Sequence, residues 1–339
     1  MMHHRREPAP GVFRLVLPLP FPGLRNVNAY LLKDESGSTL VDCGIYQPHP
    51  SGNHGWDDLV AAFEAADAQP QDVRRLIVTH PHADHYGMAG RFVDMTSCEL
   101  RMHANVGVEL DLYRDPESAR ESVRATLVRH GVGEPELDEI TAFEDWRPFV
   151  SRIAESDHPV TEGETVMVAE RTWTALHTPG HSRSHICLWS ESDGILISGD
   201  HLLPAITPHI DLERGPDDDP LGEFLVSLEK IEELEPDLVL PGHGRPFDDG
   251  AQRARVNARH HDRRLGSILQ VIRNDPKTAN EITDAIFGQS LLNFEKRLAL
   301  GEALAHLAYL LRRGEVEKLH SNGVFRYRKT AGKRVQTSA

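Results

Sequence analysis

R-L-I-V-T-H-P-H-A-D-H, residues 75–85, sets three histidines and an aspartate within six positions directly behind an apolar run. Either His80, His82, Asp84 and His85 are metal ligands, or they are a chance cluster in a chain with 20 histidines. The apolar run predicts a strand over Leu76–Thr79, and the i, i+2 spacing of His80 and His82 can point both to one side. Asp84 and His85 follow where a helix begins. The same context recurs downstream. His181 stands in T-P-G-H after a predicted strand Thr172–His177, Asp200 in S-G-D after Ile195–Ser198, and His243 in P-G-H-G after Leu238–Leu240. Ligands of an open α/β sheet gather where strands end. All seven candidates lie at such ends, which favours a metal centre over chance. Imidazole and carboxylate groups without cysteine suit zinc, manganese or iron.

The other histidines carry no such context. His3, His4, His130, His158, His260, His261 and His306 read as surface or structural groups, and no spacing promotes His103, His201 or His209. His185, four residues after His181, reads as a packing or ligand-orienting residue.

Working outward, residues 1–250 alternate short β-rich runs with helical patterns, the signature of an α/β unit. A further strand is predicted at Thr39–Asp42, and helices at Trp56–Ala66, about Gly87–Met95 and Leu221–Leu234. Residues 12–24 are apolar but broken by Pro18, Pro20 and Pro22, which suits an edge strand or loop. Residues 106–157 are charged and helical in pattern, and read as an insertion or cap over a cleft. After Phe247 the character changes. Leu265, Ile268, Leu269 and Ile272 mark one amphipathic helix. Thr278-Ala-Asn-Glu281 is a capping box opening a second, and Leu300, Ala303, Leu304, Leu307 and Leu311 line a third. Val316–Leu319 and Val324–Tyr327 flank Ser-Asn-Gly as a hairpin. The expected organisation is a catalytic domain over 10–250, a winged-helix-like domain over 251–329, and disordered ends at 1–9 and 330–339.

Charge divides along the same line. Residues 251–339 hold 17 Lys and Arg against 8 Asp and Glu, whereas residues 1–250 hold 20 against 44, in a chain of net −15. A basic module could face an anionic substrate, nucleic acid or another subunit, or simply be a solvated face. No run approaches the ~18 apolar residues of a membrane span, and Met1–Arg6 lacks the apolar core of a secretory signal. Cys43, Cys98 and Cys187 show no CxxC spacing and read as reduced, buried thiols of a cytoplasmic protein.

The set H-P-H-A-D-H, T-P-G-H, S-G-D-H and P-G-H-G, in this order over roughly residues 10–250, resembles the metallo-β-lactamase-fold hydrolase superfamily. The C-terminal module is similar to that of its glyoxalase II-like, lactamase-B2-like branch. The resemblance implies an αββα sandwich with the site at one edge. It implies His80, His82 and His181 on one metal, Asp84, His85 and His243 on a second, and Asp200 bridging both. Asp42 in L-V-D-C-G matches the family's first motif, where an aspartate sits behind the metals and orients their ligands. Two divalent ions, zinc foremost and manganese or iron next, would share a water whose pKa falls towards about 7. Asp84 is the candidate catalytic carboxylate. The chain departs from the pattern at Arg183 and Ser184, where relatives often carry Pro or Gly; this bears on substrate contacts rather than on metal binding.

Three functions are weighed. The leading one is hydrolysis of a small ester, thioester or lactone by a metal-bridging hydroxide, with an anionic thioester suited to the basic module. The second is a metal-dependent endoribonuclease, opposed by the strongly acidic catalytic domain, which would repel a phosphate backbone. The third is a non-hydrolytic member such as a mononuclear iron oxygenase. Antibiotic hydrolysis is disfavoured because a carboxylate, Asp200, takes the bridging position and no cysteine ligand is present. A flavo-diiron protein would carry Glu in place of His82. The apolar face of the third C-terminal helix could pair two chains into a homodimer or be internal core. The substrate-binding residues are not readable.

Overall fold

A computed structural model describes residues 6–21, 23–47, 55–134, 136–142, 145–212 and 218–330. Of the ends expected to be disordered, residues 1–5 and 331–339 lie outside the described residues.

The first sheet holds β1 (Val12–Pro18), β2 (Asn26–Leu32), β3 (Ser38–Val41), β4 (Val73–Ile77) and β5 (Glu99–Arg101) in that order. Its first three strands are antiparallel and its last three parallel. The second holds β6 (Thr165–Val168), β7 (Arg171–His177), β8 (Ile186–Ser190), β9 (Ile195–Gly199), β10 (Leu238–Pro241) and β11 (Phe247–Asp248), also neighbours in chain order. Here only β9 and β10 run parallel. The helices are α1 (Trp56–Ala65), α2 (Ala83–Tyr86), α3 (Ala89–Thr96), α4 (Gly107–Arg114), α5 (Pro116–Arg129), α6 (Glu136–Ile140), α7 (Pro220–Leu234), α8 (Gly250–Val271), α9 (Ala279–Phe287) and α10 (Asn293–Arg312). A hairpin of β12 (Val316–Ser321) and β13 (Val324–Lys329) follows.

Period-2 alternation explains the layers. On β2, Val27, Ala29 and Leu31 face a cluster that includes Leu59, Phe63 and Phe92 of α1 and α3. Tyr30 and Leu32 face the opposite way, into a cluster with Trp173, Ile186, Leu188, Ile197 and Leu240 of the second sheet. The alternating pairs Leu40/Val41 and Leu76/Ile77 divide in the same manner. These strands are buried on both faces, so they read as continuous apolar runs. On the outer side of the second sheet, α7 buries Phe224, Leu228 and Ile231. The result is a helix–sheet–sheet–helix sandwich. β1 is its edge strand, where Pro18 and Pro20 do no harm to the ladder. The three cysteines are buried free thiols. Among the described residues no helix is long and apolar enough to cross a membrane.

The chain forms two compact units. The first comprises residues 1–116, 145–208 and 223–257, the second residues 117–144, 209–222 and 258–339. Residues 106–157 are thereby divided: α4 belongs to the first unit and α6 to the second, with most of α5. Within the second unit Leu127, Val132, Leu137 and Ile140 cluster with Leu300 of α10. The apolar face of α10 (Leu300, Ala303, Leu304, Leu307) is buried inside the chain and is core, so it offers no surface for the homodimer. Local chemistry sets the ends of these elements. Thr278 Oγ1 accepts the Glu281 N–H at 3.1 Å while the Glu281 carboxylate accepts the Thr278 N–H at 2.7 Å. Asn322 and Gly323 take φ of 52° and 80°, the conformation a tight two-residue hairpin needs.

Candidate metal centre

Each loop of the candidate site leaves the end of a buried strand. β3 ends at Val41, and Asp42 follows with φ 60°. Its carboxylate accepts from Thr79 N at 2.7 Å, from Thr79 Oγ1 at 2.9 Å and from His85 Nδ1 at 2.7 Å. One aspartate thus ties the loop after β4 to the turn that opens α2. With its proton on Nδ1, His85 turns Nε2 inwards, 3.3 Å from Asp200 Oδ1 and 3.7 Å from Asp84 Oδ2. His243, anchored by Nδ1 to the Asn26 carbonyl at 2.8 Å, brings Nε2 to 3.1 Å from Asp84 Oδ2 and 3.3 Å from Asp200 Oδ2. His181 Nε2 lies 3.8 Å from that same Asp200 oxygen. His80 Nε2 and His82 Nδ1 are 3.1 Å apart.

The seven side chains fall into three overlapping groups: His80/His82/His181, His80/His85/Asp200 and Asp84/His85/His243. In each group the donor atoms lie within 4.8 Å of one another. His85 Nε2, His243 Nε2 and Asp200 Oδ1 are buried and make no hydrogen bond. Buried polar atoms without partners are costly, and atoms of complementary ligand chemistry aimed at common points fit divalent cations. The electrostatics agree. Burial and neighbouring imidazoles push His82 down to about 3 and His80 well below the usual range, keeping them neutral with lone pairs available. Around His243 burial is outweighed by Asp200 and Asp84, which push it up to about 10. His85 rises likewise, against burial, beside Asp200, Asp84 and Asp42. The carboxylate half therefore favours positive charge, which fits a bound cation.

Further residues support these side chains, and of them the sequence singled out only His185, as a packing or ligand-orienting residue. His185 Nε2 accepts the Asp200 N–H at 3.1 Å and its Nδ1 meets Thr178 Oγ1 at 2.8 Å, so it orients the aspartate's backbone. Asn28 Nδ2 donates to the carbonyls of Pro241 (2.8 Å) and Gly244 (2.9 Å), and Tyr30 Oη to that of Pro241 (2.8 Å), fixing the His243 loop. Gly242 allows the close approach, since a Cβ there would lie 2.2 Å from Asp200 Oδ1 and 2.7 Å from His85 Cε1. Gly180 combines φ of +136° with a contact on Phe224 that leaves no room for a side chain.

Residues 22–243 match the model of the Metallo-beta-lactamase superfamily, and residues 265–330 that of the Metallo-beta-lactamase-like C-terminal domain. A crystal structure of a metallo-beta-lactamase family protein from Thermus thermophilus superposes with a TM-score of 0.81 at 30% identity, over 95% of this chain and 99% of that one. A probable metallo-hydrolase of Bacillus subtilis is 24% identical over 329 residues, 88% of this chain and 92% of that protein. An Aspergillus fumigatus protein, the atrochrysone carboxyl ACP thioesterase, is 24% identical over 262 residues, 77% of this chain and 64% of its own length. With the sandwich fold and the His/Asp cluster at its strand ends, these matches mean that the chain belongs to the metallo-beta-lactamase superfamily and is a metal-dependent hydrolase.

Proposed function

We propose that the chain hydrolyses a small ester, thioester or lactone at a dinuclear metal centre, with zinc as the ion. The observation that carries this reading is the convergence of seven His and Asp side chains in three overlapping groups. His80, His82 and His181 would hold one ion, Asp84, His85 and His243 the second, and Asp200 would serve both. Divalent ions bound there supply Lewis acidity and a water that ionises near neutral pH. The chain's own residues do the rest. Asp42 and the Asn26 carbonyl hold the Nδ1 protons of His85 and His243, so that both rings present Nε2. Beside His85 and His243, Asp84 is held down to about 2 despite burial and stays ionised. Its carboxylate, which meets His243 through Oδ2, would accept the proton lost by the attacking water. Acyl substrates are supported by the thioesterase among the relatives and by the acidic first 250 residues, which disfavour a polyanion.

Elemental analysis combined with a panel of esters, thioesters, lactones and single-stranded RNA tests the reading. Two ions per chain and turnover on an acyl substrate, lost in Asp84→Ala without unfolding, are expected. A metal-loaded protein inert on every acyl substrate that cleaves the RNA overturns it in favour of the nuclease.

A further inference from the structure

Helix α4 lies in the segment whose sequence suggested only a cap, yet it buries two polar side chains, Glu109 and Tyr113, at i and i+4 on one face. Both are spent on the loops of the metal centre. Glu109 Oε1 accepts from Ser182 Oγ at 2.6 Å and from Arg183 N at 3.0 Å, and Oε2 accepts from Ser184 N at 3.0 Å. Those three residues are the ones that separate His181 from His185. Tyr113 Oη donates to the carbonyl of Pro81, the residue between His80 and His82, at 2.7 Å. The Tyr113 ring also stacks on Tyr86, next to His85, at 6.2 Å and 17°. A buried carboxylate is expensive unless its oxygens are satisfied. Here they are satisfied by consecutive donors of one ligand-bearing loop, where charged acceptors make the strongest bonds. One helical turn thus clamps both loops that supply His80, His82 and His181.

We infer that α4 is a brace for the three-histidine half of the centre, with Glu109 and Tyr113 as positioning residues that set the affinity of that half for its ion. The inference rests on the dinuclear reading above. Its prediction is asymmetric. Neither residue touches the loop of His243 in the hydrogen bonds that define the brace, so the Asp84/His85/His243 half should be largely spared. Glu109→Gln keeps the volume but sets an amide NH₂ against a backbone N–H. Tyr113→Phe removes the bond to Pro81 and keeps the ring.

The test is a chelator-competition titration of both ions on the full chain, with cobalt(II) spectra to identify the half affected and His82→Ala as the reference for its loss. Glu109→Gln should weaken one ion about 10- to 100-fold, the range for partners that orient ligands. Tyr113→Phe should weaken the same ion about fivefold, the scale of one hydrogen bond. In each case the other ion should shift less than about threefold, within the uncertainty of such energies. In the His82→Ala background neither substitution should matter further. Unchanged affinities, or equal weakening of both ions as from general loosening, overturn the brace while leaving the dinuclear centre standing. A wild-type chain that binds no pair of ions overturns the centre itself, and the brace with it. Should Glu109→Gln not fold, Tyr113→Phe carries the decision alone.

Discussion

The Asp42 carboxylate accepts the Nδ1 proton of His85 at 2.7 Å from the end of a different strand, 43 positions away in the chain. That bond chooses the tautomer of His85, and with it which nitrogen faces Asp84 and Asp200. Asp42→Asn should therefore do more than delete a charge, because the amide can donate to His85 Nδ1 and favour the wrong tautomer. Affinity for the ion held by His85 should fall about 10- to 100-fold. A competition titration with a chelator checks it, and unchanged affinity would show that the tautomer is set elsewhere.

Gly242 tests how closely the centre is packed. An alanine Cβ would lie 2.2 Å from Asp200 Oδ1, so the aspartate or the loop has to move. A displacement of about 1 Å at a reacting centre can cost about 100-fold in rate. Gly242→Ala should lose turnover on that scale and lower the metal content measured by elemental analysis. Gly266→Ala in α8 is the control, since its Cβ would meet nothing within 4 Å. Equal behaviour of the two variants would remove the packing account.

What the sequence made legible is what lies next to a strand end. His80 and His82 follow Leu76–Ile77, Asp200 follows Ile195–Ile197, and His243 follows Leu238–Leu240, each a candidate ligand within a few residues of a buried apolar run. The predicted bounds of β4, β7, β9 and β10 fall within three residues of the observed ones for the same reason. The braces were illegible because they act across the chain. Asn28 and Tyr30 hold a carbonyl more than 200 positions away, and Glu109 grips residues 73 to 75 positions on. No local pattern distinguishes such residues from a solvated Asn or Glu. The partition of residues 106–157 was hidden likewise: α5 buries only Leu127, too little for a helical stripe, and its partner Leu300 lies far along the chain.

That partner relationship predicts a stability effect separable from the metal centre. Leu300 is fully buried among Leu127, Val132, Leu137 and Ile140. Leu300→Ala should cost about 2–5 kcal/mol of stability through lost transfer energy and the cavity left behind. Denaturant unfolding measures it, and hydrogen exchange should report the loss first in α5, α6 and α10. A cost below about 1 kcal/mol, the scale of a surface substitution, would mean that the cluster collapses around the gap.

Acid should loosen the second unit. His306 Nδ1 donates to the Glu302 carbonyl at 2.7 Å, so its Nε2 is the acceptor facing His261 Nδ1 at 3.2 Å, and both rings are neutral. Burial first, then His306, His260 and Arg264, hold His261 down to about 2. Burial also holds His306 down to about 4, against the raising effect of Glu302. His130, buried beside Lys318 and Arg129, is likewise held down to about 4. In the unfolded chain each titrates near the ordinary value of about 6.5. The folded state therefore binds fewer protons below that pH. The stability these groups protect is complete above about pH 6.5 and is lost as pH falls from there towards 4. The loss should be about 1 kcal/mol per histidine between pH 6 and pH 5. Denaturant unfolding across this range should show it. His130→Asn should flatten the slope by about one histidine's share, because the amide has no proton to gain. A stability that is constant from pH 7 to pH 5, or a His130→Asn slope equal to that of the wild type, would mean that these rings take up protons without unfolding.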